Sequence, residues 1–327
     1  MLSRLILISR LMAILQRAKH NPILMPDVSN WWESKAVFNC GIISDNNTIH
    51  MLYRAIGEYE YYVSRIGYAS STDGISFERR KCMAIYPQEE YERYGLEDPR
   101  LMRIGNDVYV TYVVLSNYVK ERPSASTALA KTNDFFYYKR AGIMTIPNSD
   151  DKDTVLFPKE NGDENNSEYR ILHRPSNWVG PKYNTDKPSI WMSEGHSITD
   201  YHKHTLLIKP EQRWESLKIG VGIPPIKTKQ GWLVIYHGVS MDRVYSAGAL
   251  LLDVREPTKI LGRTKEPILR PEETYEKTGD VGNVVFPTGA CILDGTLFVY
   301  YGGADKVCCV ATTDLGTFLD HILSQPN

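Results

Sequence analysis

The sequence carries no excess of charge of either sign: 38 lysines and arginines stand against 39 aspartates and glutamates, for a formal net charge of −1. The basic residues are spread along the chain, which excludes a nucleic-acid or anionic-membrane surface built on bulk charge. Any anion site must therefore be local. Cysteine is scarce and odd in number: Cys40, Cys82, Cys291, Cys308 and Cys309 form no C-x-x-C pair and have no histidine at metal-ligand spacing. Neither a disulfide framework nor a metal site is expected, and a reducing, cytoplasmic setting is. Long apolar runs are also missing. The most apolar stretch, residues 1–18 (MLSRLILISRLMAILQRA), is interrupted by Arg4, Arg10 and Arg17, leaving too little for a signal-peptide core or a membrane span. It reads as an amphipathic helix, a 1–20 extension ahead of a single domain over 21–327. If a neighbouring subunit covers its apolar face, the protein is a homo-oligomer; a helix lying on a membrane surface is the weaker alternative.

What is present is a repeat. Five apolar runs share one pattern, ending in tyrosine or histidine and then changing character: IHMLYRA (49–55), VYVTYVV (108–114), YRILHRP (169–175), LVIYHGV (233–239) and LFVYYGG (297–303). They recur at intervals of about 60 residues, the length of a propeller blade and too long for most solenoid repeats. Each is followed by a strand of small residues, such as RIGYASS (65–71) or YSAGALLLD (245–253), and several of these lead into an aspartate turn, as in TDGISFERR (72–80) and NDFFYYKR (133–140). No long helix interrupts residues 36–310. An all-β, five-bladed β-propeller with a short N-terminal helix is the economical solution; a pair of β-sandwiches explains the strands but not their even spacing.

A propeller gathers equivalent positions around one axis. The residue after the aromatic in each run is Arg54, Val113, Arg174, His237 or Gly302, so three of the five are basic. Cationic groups brought together repel one another unless an anion is expected among them. Lys152 lies on the connection before the third run, in DDKDTVLFP (150–158), and Asp98 lies before the second, in GLEDPRL (95–101). Pro99 is expected to hold Asp98 in an extended conformation. An ordinary glycosidase needs two carboxylates, whereas phosphate is already an anionic nucleophile, so one carboxylic acid facing a basic cluster suits an enzyme that cleaves with phosphate.

These residues sit within motifs that resemble glycoside hydrolase family 130, the β-mannoside phosphorylases and their relatives. The matching elements run from NPILMP (21–26) through VFNCG (37–41), LYRA (52–55), EDPR (97–100), KDTVLFP (152–158), HRPS (173–176), SLKIGVG (216–222), YHGV (236–239), YSAGALLLD and NVVFPTG (283–289) to YYGGAD (300–305). The resemblance implies inverting phosphorolysis of β-1,2- or β-1,4-linked mannosides to α-D-mannose 1-phosphate, with inorganic phosphate as co-substrate and no other cofactor. It makes Asp98 the general acid and Lys152, Arg174, His237 and Tyr245 the phosphate ligands. Asn39, Cys40, Arg54, Glu97, Phe286 and Asp305 fall on the substrate-binding surface. Lys152 departs from the arginine of some members but keeps the charge. Hydrolysing relatives replace the basic residues with carboxylates, and this chain retains them. A β-mannosidase, a β-mannosyltransferase using a sugar nucleotide and a lectin-like propeller are the competing readings. The loops EYEYYVSR (58–65) and NWVGPKYNTDKP (177–188) are expected on the acceptor side.

Overall fold

Short alternating strands bury their apolar faces only by stacking as sheets, and here five antiparallel sheets do so around one axis. The computed structural model describes residues 14–119, 122–147, 149–159 and 168–325. The first blade comprises Ala36–Asp45, Thr48–Ile56, Arg65–Ser71 and Glu78–Arg79, and the second Leu96–Ile104, Asp107–Val119, Arg122–Thr132 and Lys139–Ile143. The third is Asp151–Leu156, Tyr169–Pro175, Ile190–Ser197 and Asp200–Ile208. The fourth is Lys218–Val221, Trp232–Val239, Tyr245–Leu252 and Ile260–Arg263, with the short strand Ile226–Lys227 beside its second strand. In each, the apolar run picked out by the repeat is the second strand. The aspartate turns form as expected: Asp73 accepts from the amides of Ile75 and Ser76, and Asp134 from those of Phe136 and Tyr137.

The fifth blade, Val285–Leu293, Thr296–Gly303 and Val307–Asp314, takes its outer strand from the other end of the chain: Gln16 pairs with Thr312 and Arg17 with Ala311. This corrects the expected helix over 1–20 and its boundary, in so far as they reach the described residues; 1–13 lie outside them. Leu15 is fully buried between the fourth and fifth blades. Closure satisfies the edge of the Val307–Asp314 strand, which would otherwise present unpaired backbone groups.

Four blades share a buried ionic clamp. A glutamate at the end of a short helical turn accepts from the tyrosine of the second strand and pairs with an arginine of the outer strand. The sets are Tyr53–Glu33–Arg79 (2.7 and 3.1 Å), Tyr112–Glu92–Arg140 (2.7 and 3.3 Å), Tyr236–Glu215–Arg263 (3.0 and 2.6 Å) and Tyr301–Glu276–Arg17 (2.8 and 2.7 Å). Each glutamate is fully buried. In the third blade His173 replaces the tyrosine, bonded by Asp151 at 2.6 Å and Ser193 at 2.7 Å, with His204 on the far side of Ser193. Among the described residues, that blade alone lacks the clamp.

Glu276 also accepts the amides of Glu272 and Glu273, so its loss leaves those amides and the Tyr301 hydroxyl without their acceptor and Arg17 with only Glu272 and the Arg270 carbonyl. Breaking one partner from a buried ion pair costs about 3–5 kcal/mol. Glu276→Ala is therefore expected to lower unfolding free energy in urea by that amount, and a loss below about 1 kcal/mol would show that the clamp does not hold the propeller closed.

Candidate active site

The innermost strands of the first three blades each contain a bulge at the same place. Pairing runs Phe38 to Arg54 and resumes at Gly41 with Leu52; it runs Glu97 to Val113 and resumes at Arg100 with Thr111; it runs Lys152 to Arg174 and resumes at Val155 with Leu172. A bulge bends its strand and re-aims side chains. The first bulged residues are Asn39, Asp98 and Asp153, with φ of 49°, 49° and 61°. Short polar side chains tolerate this left-handed region better than most. The extended conformation expected of Asp98 is thus incorrect: the residue before proline avoids the right-handed helical region, and the bulge takes it to positive φ.

From these positions a hydrogen-bonded chain crosses three blades. Asn39 Nδ2 donates to Asp98 Oδ1 at 2.9 Å, and Arg54 Nη1 lies 3.5 Å from the same oxygen. Arg54 Nη2 donates to Glu97 Oε1 at 2.6 Å, and Lys152 Nζ donates to Glu97 Oε2 at 3.0 Å. Burial works to raise the pKa of Glu97, but the charges of Arg54 and Lys152 outweigh it and bring it down to about 2. Beside this chain, Arg174 Nε donates to Asp153 Oδ2 at 2.7 Å and Nη1 to Ser176 Oγ at 2.8 Å, and His237 Nε2 is 3.8 Å from Asp153 Oδ2. Asp153 is held well below the carboxylate range because the charge of Arg174, with that of Arg100, overcomes its burial.

Lys218, on the innermost strand of the fourth blade, completes the group. Its Nζ stands 5.4 Å from the centre of the Tyr245 ring. Burial, then the charge of Arg174, lowers its pKa to about 8 despite Asp153. His237 behaves otherwise than expected: burial, reinforced by Arg174, Lys218 and Arg100, brings it down to about 3 against the pull of Asp153. It is a neutral ring at pH 7, so the third positive charge beside Lys152 and Arg174 belongs to Lys218. Tyr245 stacks beside His237 at 6.2 Å, and Phe286 packs on His237 at 4.4 Å and under the Arg100 guanidinium at 5.9 Å.

The structure brings Asp98, Glu97, Asn39, Arg54 and Lys152 into one network, and Arg174, His237, Tyr245 and Phe286 into its neighbour. Asp305 joins electrostatically: burial raises its carboxyl to about 7 against the charge of Arg54, with Asp98, Asp280 and Glu97 adding to the rise. Cys40 stands apart, its side chain fully buried in the apolar cluster of Val37, Tyr300 and Cys308. Two glycines make room. A Cβ on Gly302 would lie 2.1 Å from Asn39 Oδ1, and one on Gly220 would lie 2.3 Å from Asp153 Oδ2. The buried Asn39 Oδ1, Arg54 Nε, Arg100 Nη2 and His237 Nδ1 make no hydrogen bond. Of the expected acceptor loops, 58–65 brings Tyr62, which bonds Asp280 and flanks Arg54. The other stacks Trp178 on Tyr183 at 5.6 Å.

Sequence reasoning missed Asp153, Lys218, Arg100 and Tyr62. Asp153 and Lys218 lie within the quoted motifs KDTVLFP and SLKIGVG, and register with Asp98 would have singled out the former.

Lys152 and Arg174 thus pair with the buried carboxylates Glu97 and Asp153, with Lys218 close enough to feel the charges of both cations. The family model described as beta-1,4-mannooligosaccharide phosphorylase, glycoside hydrolase family 130, matches residues 14–323. The chain belongs to glycoside hydrolase family 130. It is a glycoside phosphorylase of that family. It is 40% identical over 308 residues to the 1,2-beta-oligomannan phosphorylase of Thermoanaerobacter sp. (strain X514), covering 92% of this chain and 97% of that protein. It is 35% identical to the beta-1,2-mannobiose phosphorylase of the same organism, with coverage of 92% and 97%. The solved structure of the beta-1,2-mannobiose phosphorylase from Listeria innocua, in complex with beta-1,2-mannobiose, superposes with a TM-score of 0.81 at 28% identity, covering 95% of this chain and 99% of that one.

The lowered lysine gives a pH signature. Above about pH 8 Lys218 loses its proton while phosphate stays a dianion, so the KM for phosphate should rise toward about tenfold per pH unit. In Lys218→Arg the guanidinium stays charged and the profile should remain flat to about pH 9.5. Superimposable profiles for the two enzymes would remove Lys218 from the phosphate site.

Proposed function

We propose that the protein cleaves β-1,2-linked mannosides with inorganic phosphate, releasing α-D-mannose 1-phosphate and an acceptor shortened by one mannose, in a reversible single displacement. The observation that carries this reading is the placement of Asp98 beside Asn39 and Arg54 on one side and, across Glu97, the cations that begin at Lys152. Phosphate held by Lys152, Arg174 and Lys218, with hydrogen bonds from His237 and Tyr245, attacks the anomeric carbon through one oxygen. The bond from that carbon to the bridging oxygen breaks, and Asp98, entering as the carboxylic acid, gives its proton to the departing oxygen directly or through a sugar hydroxyl. Attack and departure on opposite faces invert the centre. Charge-assisted hydrogen bonds to phosphate are the strong kind, and alignment of the two reactants lowers the barrier further.

Asn39 and Arg54 face the mannose that is transferred, and Asp305, half-protonated near neutrality, can donate to one of its hydroxyls. A hydrolase would need a second carboxylate as base, and Glu97 and Asp153 are poor bases because cations hold both far below the usual range. The β-1,2 linkage is favoured over β-1,4 because the two relatives named above at 35–40% identity are both described by it. All five cysteines are free thiols, which suits the cytoplasm.

The reading is tested by supplying β-1,2-mannobiose, β-1,2-oligomannosides and β-1,4-mannobiose with and without phosphate. Mannose 1-phosphate should form from the β-1,2 substrates at least about tenfold faster than from the β-1,4 one, and hardly any mannose should appear without phosphate; free mannose at undiminished rate in phosphate-free buffer contradicts it. Asp98→Asn should lower turnover on the order of a hundredfold or more, and near-normal turnover would reassign the acid. Arg174→Ala should lower kcat/KM for phosphate by roughly 10–100-fold, the value of a charged hydrogen bond.

A further inference from the structure

On the periphery of the third blade, remote from the reaction centre, three metal-ligating side chains converge from three adjacent strands. Glu168 immediately precedes the strand Tyr169–Pro175; His196 follows Gly195, which pairs with Tyr169; His202 follows Tyr201, which pairs with Gly195 from the other side. The hairpin that carries the two histidines is bulged on either side of Gly195, and the rings of His196 and His202 lie face to face at 4.2 Å with a tilt of 31°. His202 Nε2 is 3.8 Å from Glu168 Oε1, and one ligand atom from each of the three residues lies within 4.8 Å of the others. In a tetrahedral site with bonds of about 2.0–2.2 Å, ligand atoms stand about 3.4 Å apart, so movements of about an ångström by the exposed His196 and His202 and the half-buried Glu168 would close the set.

We propose that Glu168, His196 and His202 form a binding site for a divalent transition metal of the zinc type. Two imidazoles with one carboxylate are a nitrogen-rich, borderline set that favours Zn²⁺, Ni²⁺ or Cu²⁺ over Mg²⁺ or Ca²⁺, and three protein ligands leave a position for water. The neighbouring cations Arg170, at 3.1 Å, and Lys203 are ion-paired first with Glu194, although Lys203 also feels the charge of Glu168. The placement also has a structural logic. This blade is the one that lacks the tyrosine–glutamate–arginine clamp, and a metal here ties together its second, third and fourth strands. The second strand leads, six residues on from Glu168, to Arg174, a distance of about 20 Å at the rise of a strand. The ion is thus a staple for the blade that carries a phosphate-site arginine and does not enter the reaction.

Titration of the whole protein with Zn²⁺ alone, in phosphate-free buffer at about pH 7.5, decides it by calorimetry and thermal melting. One equivalent should bind with a dissociation constant below about 100 μM and raise the melting temperature by a few degrees. In His196→Ala/His202→Ala affinity should fall at least about tenfold and the shift in melting should vanish, while metal-free activity stays at the wild-type level; Glu168→Gln should weaken binding less. Absence of binding tighter than about 1 mM, or equal binding by the double variant, would overturn the site.

Discussion

Glu97 is the point at which three blades are tied together. It is buried, yet it stays ionised because Arg54 arrives from the first blade and Lys152 from the third. Remove that carboxylate and Lys152 loses its ion-pair partner, while Arg54 keeps only the longer contact to Asp98, in surroundings where an uncompensated charge costs several kcal/mol. With it, the geometry of the site is over-determined: Arg54 is pinned between Glu97 and Asp98, Asp98 is fixed from the other side by Asn39, and Lys152 is presented toward the axis beside Arg174. Asp153 does the same in the next blade, holding Arg174 and facing His237. These two carboxylates let cations gather at a density that would otherwise be self-repelling, and Lys218, its pKa lowered by burial and then by the charge of Arg174, stands close by. Residual positive charge of that kind is what an anion would satisfy.

The scaffold supplies this arrangement by repetition with local departure. Every blade has the same second strand and four have the same buried glutamate clamp, so the frame is set by features distant from the axis. The innermost strands then differ. Three carry a bulge that puts Asn39, Asp98 or Asp153 at positive φ, the fourth carries Gly220 so that Asp153 and His237 can approach, and the fifth blade carries Gly302 so that Asn39 can. Rigidity at the rim and variation at the axis let one architecture bring Asp98, Lys152, Arg174 and Lys218 together from separated segments of chain.

Much of this is legible in the sequence for a simple reason: the five second strands are nearly continuous apolar runs, each closed by a buried aromatic or histidine, and the residue after it reaches the axis. Arg54, Arg174 and His237 follow from that pattern, and the EDPR and KDTVLFP motifs mark Asp98 and Lys152. What escapes a reading of the residues depends on register and dielectric. A bulge leaves no mark in hydrophobic periodicity, which hides both the conformation of Asp98 and the role of Asp153. The charge of His237 is decided by burial among Arg174, Lys218 and Arg100, which spacing cannot report. The N-terminal strand is hidden because two residues are too few for a pattern, although Arg17 occupies the role of Arg79, Arg140 and Arg263. The aromatic–glutamate pairs at Trp32–Glu33, Tyr91–Glu92, Trp214–Glu215 and Tyr275–Glu276 are a second repeat in plain view, and they mark the start of four blades.

The central claim is that the group occupying the cationic pocket is the nucleophile. Cleavage of a β-1,2-mannoside with phosphate labelled with oxygen-18 in every position, followed by carbon-13 nuclear magnetic resonance of the product, reads that out directly. The expected product is α-configured mannose 1-phosphate in which the oxygen on C1 carries the label. Unlabelled oxygen at C1, or mannose whose new hydroxyl comes from the solvent, would contradict it.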